Sequence, residues 1–386
     1  MNSSSLVVSG GQPGEFLTVR HVRATGTNRQ IGRTLAEAAL AVYGEAVGPV
    51  RAADRVVERA RRHWFEIHYP DLLERARGIG DILGVDPESD EWDLSSLATF
   101  GASAGCSVAF YPAAGTKEGH GLLSRNFDFP TVTFTEMLGL PGRDGERPAA
   151  GDPWITELRP DQGYASISIG IADVMGAMDG INEAGLSVAL LADGESPNQE
   201  PSFGPQVGLS EQQVVRYLLD RCADVDEAKQ ALLLAKQYYA FLPCHYVVAD
   251  RSGRSFVWEY SPGHNNEKIV DTDKTQGGRM VCTNHLLHRW PDGAELPDDS
   301  GPEGVAGFTY NRWRALSEQI SDGAIVDRHD LRSHSESVRF TAPTEGTRTL
   351  WHAIYDVDDR SVEYSFYRQD RDGRSEFTEP RSFSLR

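Results

Sequence analysis

The hydrophobic pattern of the chain changes at about residue 105, and this change constrains the fold more than any other feature. Before it, residues 29–43, 52–68 and 71–83 repeat apolar side chains every three or four positions, which predicts three amphipathic helices. Residues 16–24 alternate and predict one strand ahead of these helices, after an irregular lead. The first hundred residues are therefore expected to be mostly helical. After them, short apolar or alternating runs predict mainly strands.

Pairs of helices interrupt the strand runs of the second part. Strands are expected at 107–112, 121–127, 164–174, 176–181, 186–191, 244–250, 255–260, 280–283, 347–357 and 361–368. Helices are expected at 209–222, 225–238, 304–320 and 328–339. This order favours antiparallel sheets covered by helices over a parallel sheet of alternating strands and helices. No Gly-rich loop joins a strand to a helix, so a nucleotide-binding fold has no support.

Composition excludes several classes of partner. The net charge of −19 argues against nucleic acid, because phosphate binding needs a concentrated basic face. No apolar run approaches the ~20 residues of a membrane span. The first sixteen residues lack the basic and apolar regions of a signal peptide. We therefore expect a cytoplasmic protein that binds neither nucleic acid nor membrane.

The four cysteines predict neither a zinc site nor a disulfide framework. Cys106, Cys222, Cys244 and Cys282 are far apart in the sequence, and no CxxC motif occurs. The acidic residues also lack the spacing of a calcium loop. We therefore expect no metal and no cofactor.

Cys106 is the first candidate for chemistry. It follows Gly105 directly, and a Gly-rich turn leads from its strand to Arg125 and Asp128. Two strands joined by a turn would place all three side chains at one end of a hairpin. A nearby cation favours the thiolate, and a carboxylate can orient an amine or an imidazole. The ordinary alternatives are a buried structural cysteine and a surface ion pair.

Two asparagines and a histidine are further candidates. Asn182 lies in a hairpin turn, whereas Asn284 and His285 follow an apolar pair. Amide side chains can donate to a developing oxyanion, although they are also common in turns. His285 is the best partner for a conventional Cys–His pair, but a histidine near a strand end is more often structural. Arg312 is most simply a solvated helix residue.

Taken together, these segments resemble the N-terminal nucleophile hydrolases. Within them the chain is similar to the branch of acyl-coenzyme A:6-aminopenicillanic acid acyltransferase, related to choloylglycine hydrolase and penicillin V acylase. The resemblance extends over nearly the whole chain, and it depends on the order of motifs at 77–80, 105–107, 125–128, 179–186, 283–285 and 349–351. It implies an α+β fold, a four-layer αββα sandwich of two antiparallel sheets with a helical N-terminal segment.

The resemblance also implies that the chain cleaves itself between Gly105 and Cys106. Residues 1–105 would form an α-chain and residues 106–386 a catalytic β-chain, both in one domain. Cys106 would then supply the thiol nucleophile and, through its new α-amine, the general base. An α-amine has a pKa of about 8, which suits this task near neutral pH. Asp128 would hold the amine, and Arg125 would tune the thiol.

Three further roles follow from the resemblance. Asn284 would give its side-chain amide to an oxyanion hole, Asn182 would help through its backbone N–H, and Arg312 would brace the site. The substrate would be a small amide or acyl thioester, and the reaction hydrolysis or acyl transfer. The alternative is an unprocessed single chain, either a Cys–His hydrolase that uses His285 or an inactive binding protein.

Overall fold

The structure is a computed structural model that describes residues 5–44, 47–96, 105–137, 139–171, 173–196, 206–261, 266–271, 278–290, 293, 295–299, 308–321, 323–342 and 346–386. Its helices are α1 (Asn28–Tyr43), α2 (Arg55–His68), α3 (Pro70–Leu83), α4 (Phe134–Met137), α5 (Glu211–Arg221), α6 (Val225–Leu234), α7 (Thr309–Ser321) and α8 (Arg328–Glu336). The predicted helices are all present. Residues 304–307 of the helix predicted at 304–320 lie outside the described residues. None of the described helices is long and apolar enough to cross a membrane.

The strands form two large sheets and one small one. In chain order they are β1 (Leu6–Gly10), β2 (Thr18–Gly26), β3 (Val50–Arg51), β4 (Trp92–Asp93), β5 (Gly105–Tyr111), β6 (Leu122–Pro130), β7 (Trp154–Pro160), β8 (Ser166–Gly170), β9 (Asp179–Asn182), β10 (Ser187–Ala192), β11 (Cys244–Ala249), β12 (Ser255–Ser261), β13 (Asn266–Asp271), β14 (Met280–Cys282), β15 (Thr347–Asp356), β16 (Ser361–Arg371), β17 (Arg374–Phe377) and β18 (Arg381–Ser384). A nine-stranded sheet runs β1-β2-β7-β8-β9-β10-β11-β12-β13. A seven-stranded sheet runs β14-β5-β6-β15-β16-β17, and its strand β18 also pairs with β16.

The layers form the αββα sandwich that the family resemblance implies. The two sheets contact each other through β5 and β10. Helices α1, α5 and α6 pack on the nine-stranded sheet, and α7 and α8 pack on the seven-stranded sheet. One hydrophobic cluster includes buried residues of α1, α3, α5 and both sheets. The segment before residue 105 therefore shares its core with the rest of the chain.

Some strands differ from the sequence prediction. The lead before residue 16 contains β1, so the N-terminal segment contributes two strands to the large sheet as well as helices. The pair β2–β7 is parallel, whereas the other ladders of the described residues are antiparallel. The sequence prediction lacked β1, β7, β13, β17 and β18. Strands β1 and β13 lie at the edges of the nine-stranded sheet, and an edge strand is held by one backbone ladder and carries a weak hydrophobic pattern. Leu6, for example, is 65% exposed.

Helices α1 and α3 approach each other until their backbones touch. A methyl group on Gly32 would lie 2.0 Å from the carbonyl oxygen of Arg75, and one on Gly78 would lie 2.1 Å from that of Arg29. Any larger residue at either glycine would force the helices apart. The α1 helix begins in a capping box, in which Thr27 accepts from the backbone of Gln30.

A buried polar network joins α3 to α5. The Tyr69 hydroxyl and Arg75 Nη1 each donate to Asp220 Oδ2 at 2.5 Å. All three side chains are almost fully buried. Removing one partner would leave an uncompensated buried polar group, which is costly. The network therefore binds the segment before residue 105 to the segment after it.

The close contact of α1 and α3 gives a stability test. We expect Gly78→Ala to lower the free energy of unfolding by about 1–3 kcal/mol, because overpacking outweighs the gain of about 1 kcal/mol in helix propensity. Gly48→Ala is the control, since nothing lies within 4 Å of a methyl group there. Urea denaturation measures both variants. An unchanged midpoint for Gly78→Ala would refute the close contact.

Candidate active site

The hairpin of β5 and β6 forms the centre of the candidate site. Its register pairs Gly105 with Asp128 and Cys106 with Phe127. Because side chains alternate along a strand, Arg125 and Phe127 share the face of the Cys106 thiol, and Asp128 lies on the opposite face. The hairpin therefore places Arg125 beside the thiol and Asp128 on the other face, next to the main chain of Gly105 and Cys106.

The Cys106 thiol is fully buried and surrounded by polar groups. Arg125 Nη2 lies 3.6 Å from Sγ as a donor, and the backbone of Ala192 is close enough to lower the pKa of the thiol. Burial raises the pKa of the thiol, although Arg125 and Arg312 act in the opposite direction. In the uncut chain the sulfur is therefore held mainly as a protonated thiol at neutral pH.

Arg125 is buried between the two sheets. Its Nε lies 2.8 Å from Asp179 Oδ2 in an ion pair that is too bent for a hydrogen bond. Its Nη2 donates to the carbonyl oxygen of Leu190 at 2.6 Å, and the guanidinium lies over the Phe127 ring, 5.0 Å from its centroid. Asp179 raises the pKa of Arg125 against the effect of burial, so the cation persists.

Asp179 is a site residue that the sequence reasoning missed. Its carboxylate accepts from the Tyr355 hydroxyl and from Trp351 Nε1, the latter at 3.3 Å. It is fully buried, and burial raises its pKa while Arg125 lowers it. The sequence signal that could have identified Asp179 is a carboxylate at the start of an apolar strand, in the same 179–186 motif that contains Asn182.

Asp128 lies beside the bond that is predicted to break. Thr349 Oγ1 donates to its Oδ1 at 2.5 Å, and Arg312 Nη1 donates to its Oδ2 at 3.2 Å. Burial raises the pKa of this carboxyl group, and Arg312 opposes the shift. The position opposite Gly105 in the ladder puts Asp128 next to the main chain of Cys106.

Asn284 and Arg312 hold the main chain of Cys106. The Cys106 N–H donates to Asn284 Oδ1 at 2.9 Å, and Arg312 Nη1 donates to the Cys106 carbonyl oxygen at 2.8 Å. Arg312 Nη2 also donates to Asn284 Oδ1 at 2.6 Å, and Asn284 Nδ2 donates to Ala192 O at 2.7 Å. Arg312 is 6% exposed, so it is not a solvated helix residue but part of the cluster.

The structure does not bring Asn182 to this cluster, and its predicted role is corrected. Its Nδ2 donates to the carbonyl oxygens of Leu219 and Cys222, where α5 ends, and its backbone N–H donates to Leu186. These contacts place it at the far end of β10 from Ala192, roughly 17 Å along the strand. Its amide stabilises a turn and a helix end instead.

His285 does not contact the thiol. Its Nδ1 lies 3.2 Å from the hydroxyls of Thr283 and Thr309, and its buried Nε2 has no hydrogen-bond partner. Burial lowers the pKa of this imidazole to about 3. A base with so low a pKa is poorly suited to take a proton from a thiol near neutral pH. The Cys–His alternative therefore gains no support.

Two groups of side chains have the composition of metal ligands, but both already have cationic partners. In the described residues these groups are His120, Asp356 and Asp359, and Asp327, His329 and Asp330. Arg328 Nη2 donates to Asp356, and Lys117 Nζ donates to Asp327 and Asp330. A cation would have to displace these side chains.

A family model links the fold to known proteins. Residues 115–371 match the model of acyl-coenzyme A:6-aminopenicillanic acid acyl-transferase. The chain belongs to this family. The resemblance drawn from the sequence is thereby confirmed. No curated protein matches the sequence.

Three solved structures are similar to the chain at low identity. Penicillin V acylase from Agrobacterium tumefaciens is 20% identical over 68% of this chain and 83% of its own, with a TM-score of 0.46. A mutant of conjugated bile acid hydrolase from Clostridium perfringens is 14% identical over 72% and 92%, with a TM-score of 0.48. The Caenorhabditis elegans N-acylethanolamine-hydrolyzing acid amidase ortholog is 12% identical over 65% and 93%, with a TM-score of 0.38.

The ion pair of Asp179 gives the first test of the site. We expect Asp179→Asn to lower the free energy of unfolding by about 3–5 kcal/mol, because Arg125 would stay buried without a counter-charge. Asp90→Asn is the control, because that carboxylate pairs with Arg59 and Arg62 at the surface and should change stability little. Chemical denaturation measures both. Equal, small effects would show that Asp179 is not needed to neutralise Arg125.

The buried imidazole gives a pH test. In the unfolded chain His285 binds a proton below about pH 6.5, whereas in the folded chain it does so only near pH 3. Acidification below pH 6.5 therefore stabilises the unfolded chain and lowers the free energy of unfolding. From about pH 6 to about pH 4, the wild type should lose about 2–3 kcal/mol more stability than His285→Asn, whose amide does not titrate. Denaturation curves at both pH values measure this difference. Parallel losses would mean that His285 is protonated in the fold.

Proposed function

We propose that the protein is a self-processing amidohydrolase or acyltransferase whose nucleophile is Cys106. One observation carries the proposal. The N–H, the carbonyl oxygen and the sulfur of Cys106 each contact a different buried polar side chain: Asn284, Arg312 and Arg125. A cysteine that only fills the core needs none of these contacts, and each buried polar group is costly to place.

Processing would begin with the thiol of the uncut chain. Sγ attacks the Gly105 carbonyl carbon, the bond from that carbon to the Cys106 nitrogen breaks, and the thiol proton passes to this nitrogen. Water then hydrolyses the thioester, which leaves a carboxylate on Gly105 and a free α-amine on Cys106. Asn284 Oδ1, which accepts from the Cys106 N–H in the uncut chain, would keep the new amine in place. Asp128 lies opposite Gly105 and would orient it.

The new α-amine would act as the base for turnover. It accepts the proton of the Cys106 thiol, and the sulfur attacks the carbonyl carbon of a small amide or acyl thioester. The leaving amine or thiol departs with a proton, and an acyl thioester remains on Sγ. Water then gives hydrolysis, whereas an amine acceptor gives acyl transfer. Arg125, 3.6 Å from the sulfur, favours the thiolate at each attack.

An oxyanion site would come from the end of β10 and from Asn284. The backbone of Ala192 is close enough to the sulfur to lower the pKa of the thiol, so we expect it to lie within reach of a carbonyl attacked by that sulfur. Asn284 Nδ2 donates to Ala192 O in the uncut chain. To donate to an oxyanion, the Asn284 amide must therefore share or exchange its hydrogen bond to Ala192. Hydrogen-bond donors that point at the developing oxyanion typically account for a large part of the rate acceleration in acyl transfer.

The two products of cleavage would stay together as a heterodimer. Residues 1–105 supply β1 and β2 to the nine-stranded sheet, and Asp220 binds Tyr69 and Arg75 in the interior. Residues 97–104, which precede the bond, lie outside the described residues. We therefore propose one domain made of two chains, 1–105 and 106–386.

Intact mass and a denaturing gel test the proposal. The wild type should give two polypeptides, the second beginning at Cys106, and should act on at least one member of a panel of acyl-amino acids, penicillin V and acyl-coenzyme A donors. Cys106→Ala should stay a single chain of 42.5 kDa without turnover. Cys106→Ser keeps a weaker nucleophile and should process slowly at most.

Cys222→Ala is the matched control. Cys222 is also buried, but no contact joins it to the cluster around Cys106 in the described residues, so this variant should process and turn over like the wild type. A cut that persists at the same bond in Cys106→Ala would refute self-processing by this thiol. A wild type that stays whole but acts on a substrate would refute the need for a free α-amine.

A further inference from the structure

The two proposed donors to the oxyanion belong to different sheets. Asn284 lies two residues after β14 of the seven-stranded sheet, whereas Ala192 ends β10 of the nine-stranded sheet. Asn284 Nδ2 donates to Ala192 O at 2.7 Å, and the Gly194 N–H donates to Asn284 O at 2.7 Å. The position of the Asn284 amide therefore depends on how the segment 284–290 is held against the nine-stranded sheet.

Two buried carboxylates hold this segment. The Leu286 N–H donates to Glu195 Oε2 at 2.9 Å. The N–H groups of Leu287 and His288 donate to Glu259 Oε1 at 2.5 Å and Oε2 at 3.2 Å. The segment makes a single helical turn here, and the first N–H groups of such a turn have no partner within it. Carboxylates from outside the segment thus bind three consecutive backbone N–H groups.

Glu259 lies too far from β10 to take part in the reaction directly. It is on β12 and 2% exposed, and its ladder partner on β11 is His245, which in turn pairs with Leu191 on β10. Glu259 is therefore two strands, roughly 10 Å, from the strand that ends in Ala192. His288 Nδ1 also donates to its Oε2 at 2.5 Å. Both carboxylate oxygens are thus bound to the segment 284–290.

His245 holds the main chain on the other side of Asn284. Its Nε2 lies 2.6 Å from Thr283 O, and because a carbonyl oxygen only accepts, Nε2 carries the proton. Its Nδ1 then faces Glu259 Oε1 at 4.0 Å. The imidazole is fully buried. Side chains of the nine-stranded sheet therefore hold the chain both before and after Asn284.

We propose that Glu259 is a positioning residue for turnover at Cys106, an inference that rests on the proposed function. Because it binds the N–H groups of residues 287 and 288, it keeps Asn284 Nδ2 beside the end of β10, where a donor to the oxyanion is needed. Glu195 does the same through residue 286. Without Glu259 the segment moves away from β10, and the amide meets the oxyanion in only a fraction of the molecules.

Hydrogen–deuterium exchange of the Cys106→Ala chain tests these contacts without any turnover. When Glu259→Ala is added to this background, the amides of 284–290 should exchange at least about tenfold faster, because two of them lose their acceptor and the segment opens locally. Peptide-resolved mass spectrometry measures this exchange. The result does not depend on whether the protein is an enzyme.

Asp250→Ala is the matched control. Its carboxylate is also buried, and it accepts from the N–H groups of Val225 at 2.9 Å and Ser252 at 2.8 Å. It lies directly after β11, roughly 17 Å along that strand from the position opposite Glu259. We expect this variant to leave the exchange of 284–290 unchanged.

Turnover of the processed protein tests the role in catalysis. We expect Glu259→Ala to lower kcat about 10- to 100-fold and to leave KM within about twofold, because loss of an oxyanion donor costs about 10²–10³ in kcat and a displaced donor costs less. The substrate is the member of the panel that the wild type turns over fastest, and rates are referred to the amount of chain that begins at Cys106. Asp250→Ala should match the wild type.

Two results would overturn the proposal: unchanged exchange of 284–290 in Glu259→Ala, and faster exchange there with an unchanged kcat. A thermal melt that matches the parent shows that the variant is folded. If it melts early, Glu195→Ala takes its place, and unchanged exchange or kcat in that variant would equally contradict the proposal. A wild type that stays uncut and inactive would refute the proposed function and, with it, the role in turnover, whereas the exchange result would still show whether Glu259 holds the segment.

Discussion

The site depends on one buried cation, Arg125, between two sheets. Arg125 lies on β6 of the seven-stranded sheet, and its counter-ion Asp179 lies on β9 of the nine-stranded sheet. Their ion pair ties the faces of the two sheets at one place, and Arg125 also donates to Leu190 on β10. A buried ion pair is weak evidence for stability, but it restricts how two surfaces can align. This alignment brings the end of β10, with Ala192, to the Cys106 sulfur.

The local hydrophobic pattern was enough to predict many of the helices and strands, and the sequence around Cys106 was enough to predict part of the side-chain cluster at the site. The helices before residue 105 follow from apolar spacing, and the helix pairs later in the chain follow in the same way. Cys106, Arg125 and Asp128 lie together because one hairpin joins them, so their proximity needs no long-range information. Asn284 and Arg312 came from the resemblance to a family, since 178 and 206 residues separate them from Cys106.

Contacts between the sheets could not be predicted from local pattern. Asp179 meets Arg125 only when the two sheets stack, and the proposed contribution of Ala192 comes from its backbone, which no residue type reveals. Asn182 was predicted at the site because an amide can donate either to an oxyanion or within a turn. Which of these it does here depends on where α5 ends, and the local sequence does not show this. Burial raises the pKa of the thiol in the uncut chain, and its proposed base does not yet exist there, so we expect the uncut chain to be inactive toward a substrate.

The central claim is that Cys106 accepts the acyl group once its own α-amine is free. The most direct test is to mix the processed protein with an acyl p-nitrophenyl ester, stop the reaction with acid and locate the added mass by peptide mapping. The account predicts a single acyl adduct on the peptide that begins at Cys106, and none on the uncut Cys106→Ala chain. An adduct on Cys244 or Cys282 with full turnover, or an acylated Cys106 in a chain that is still joined to Gly105, would contradict it.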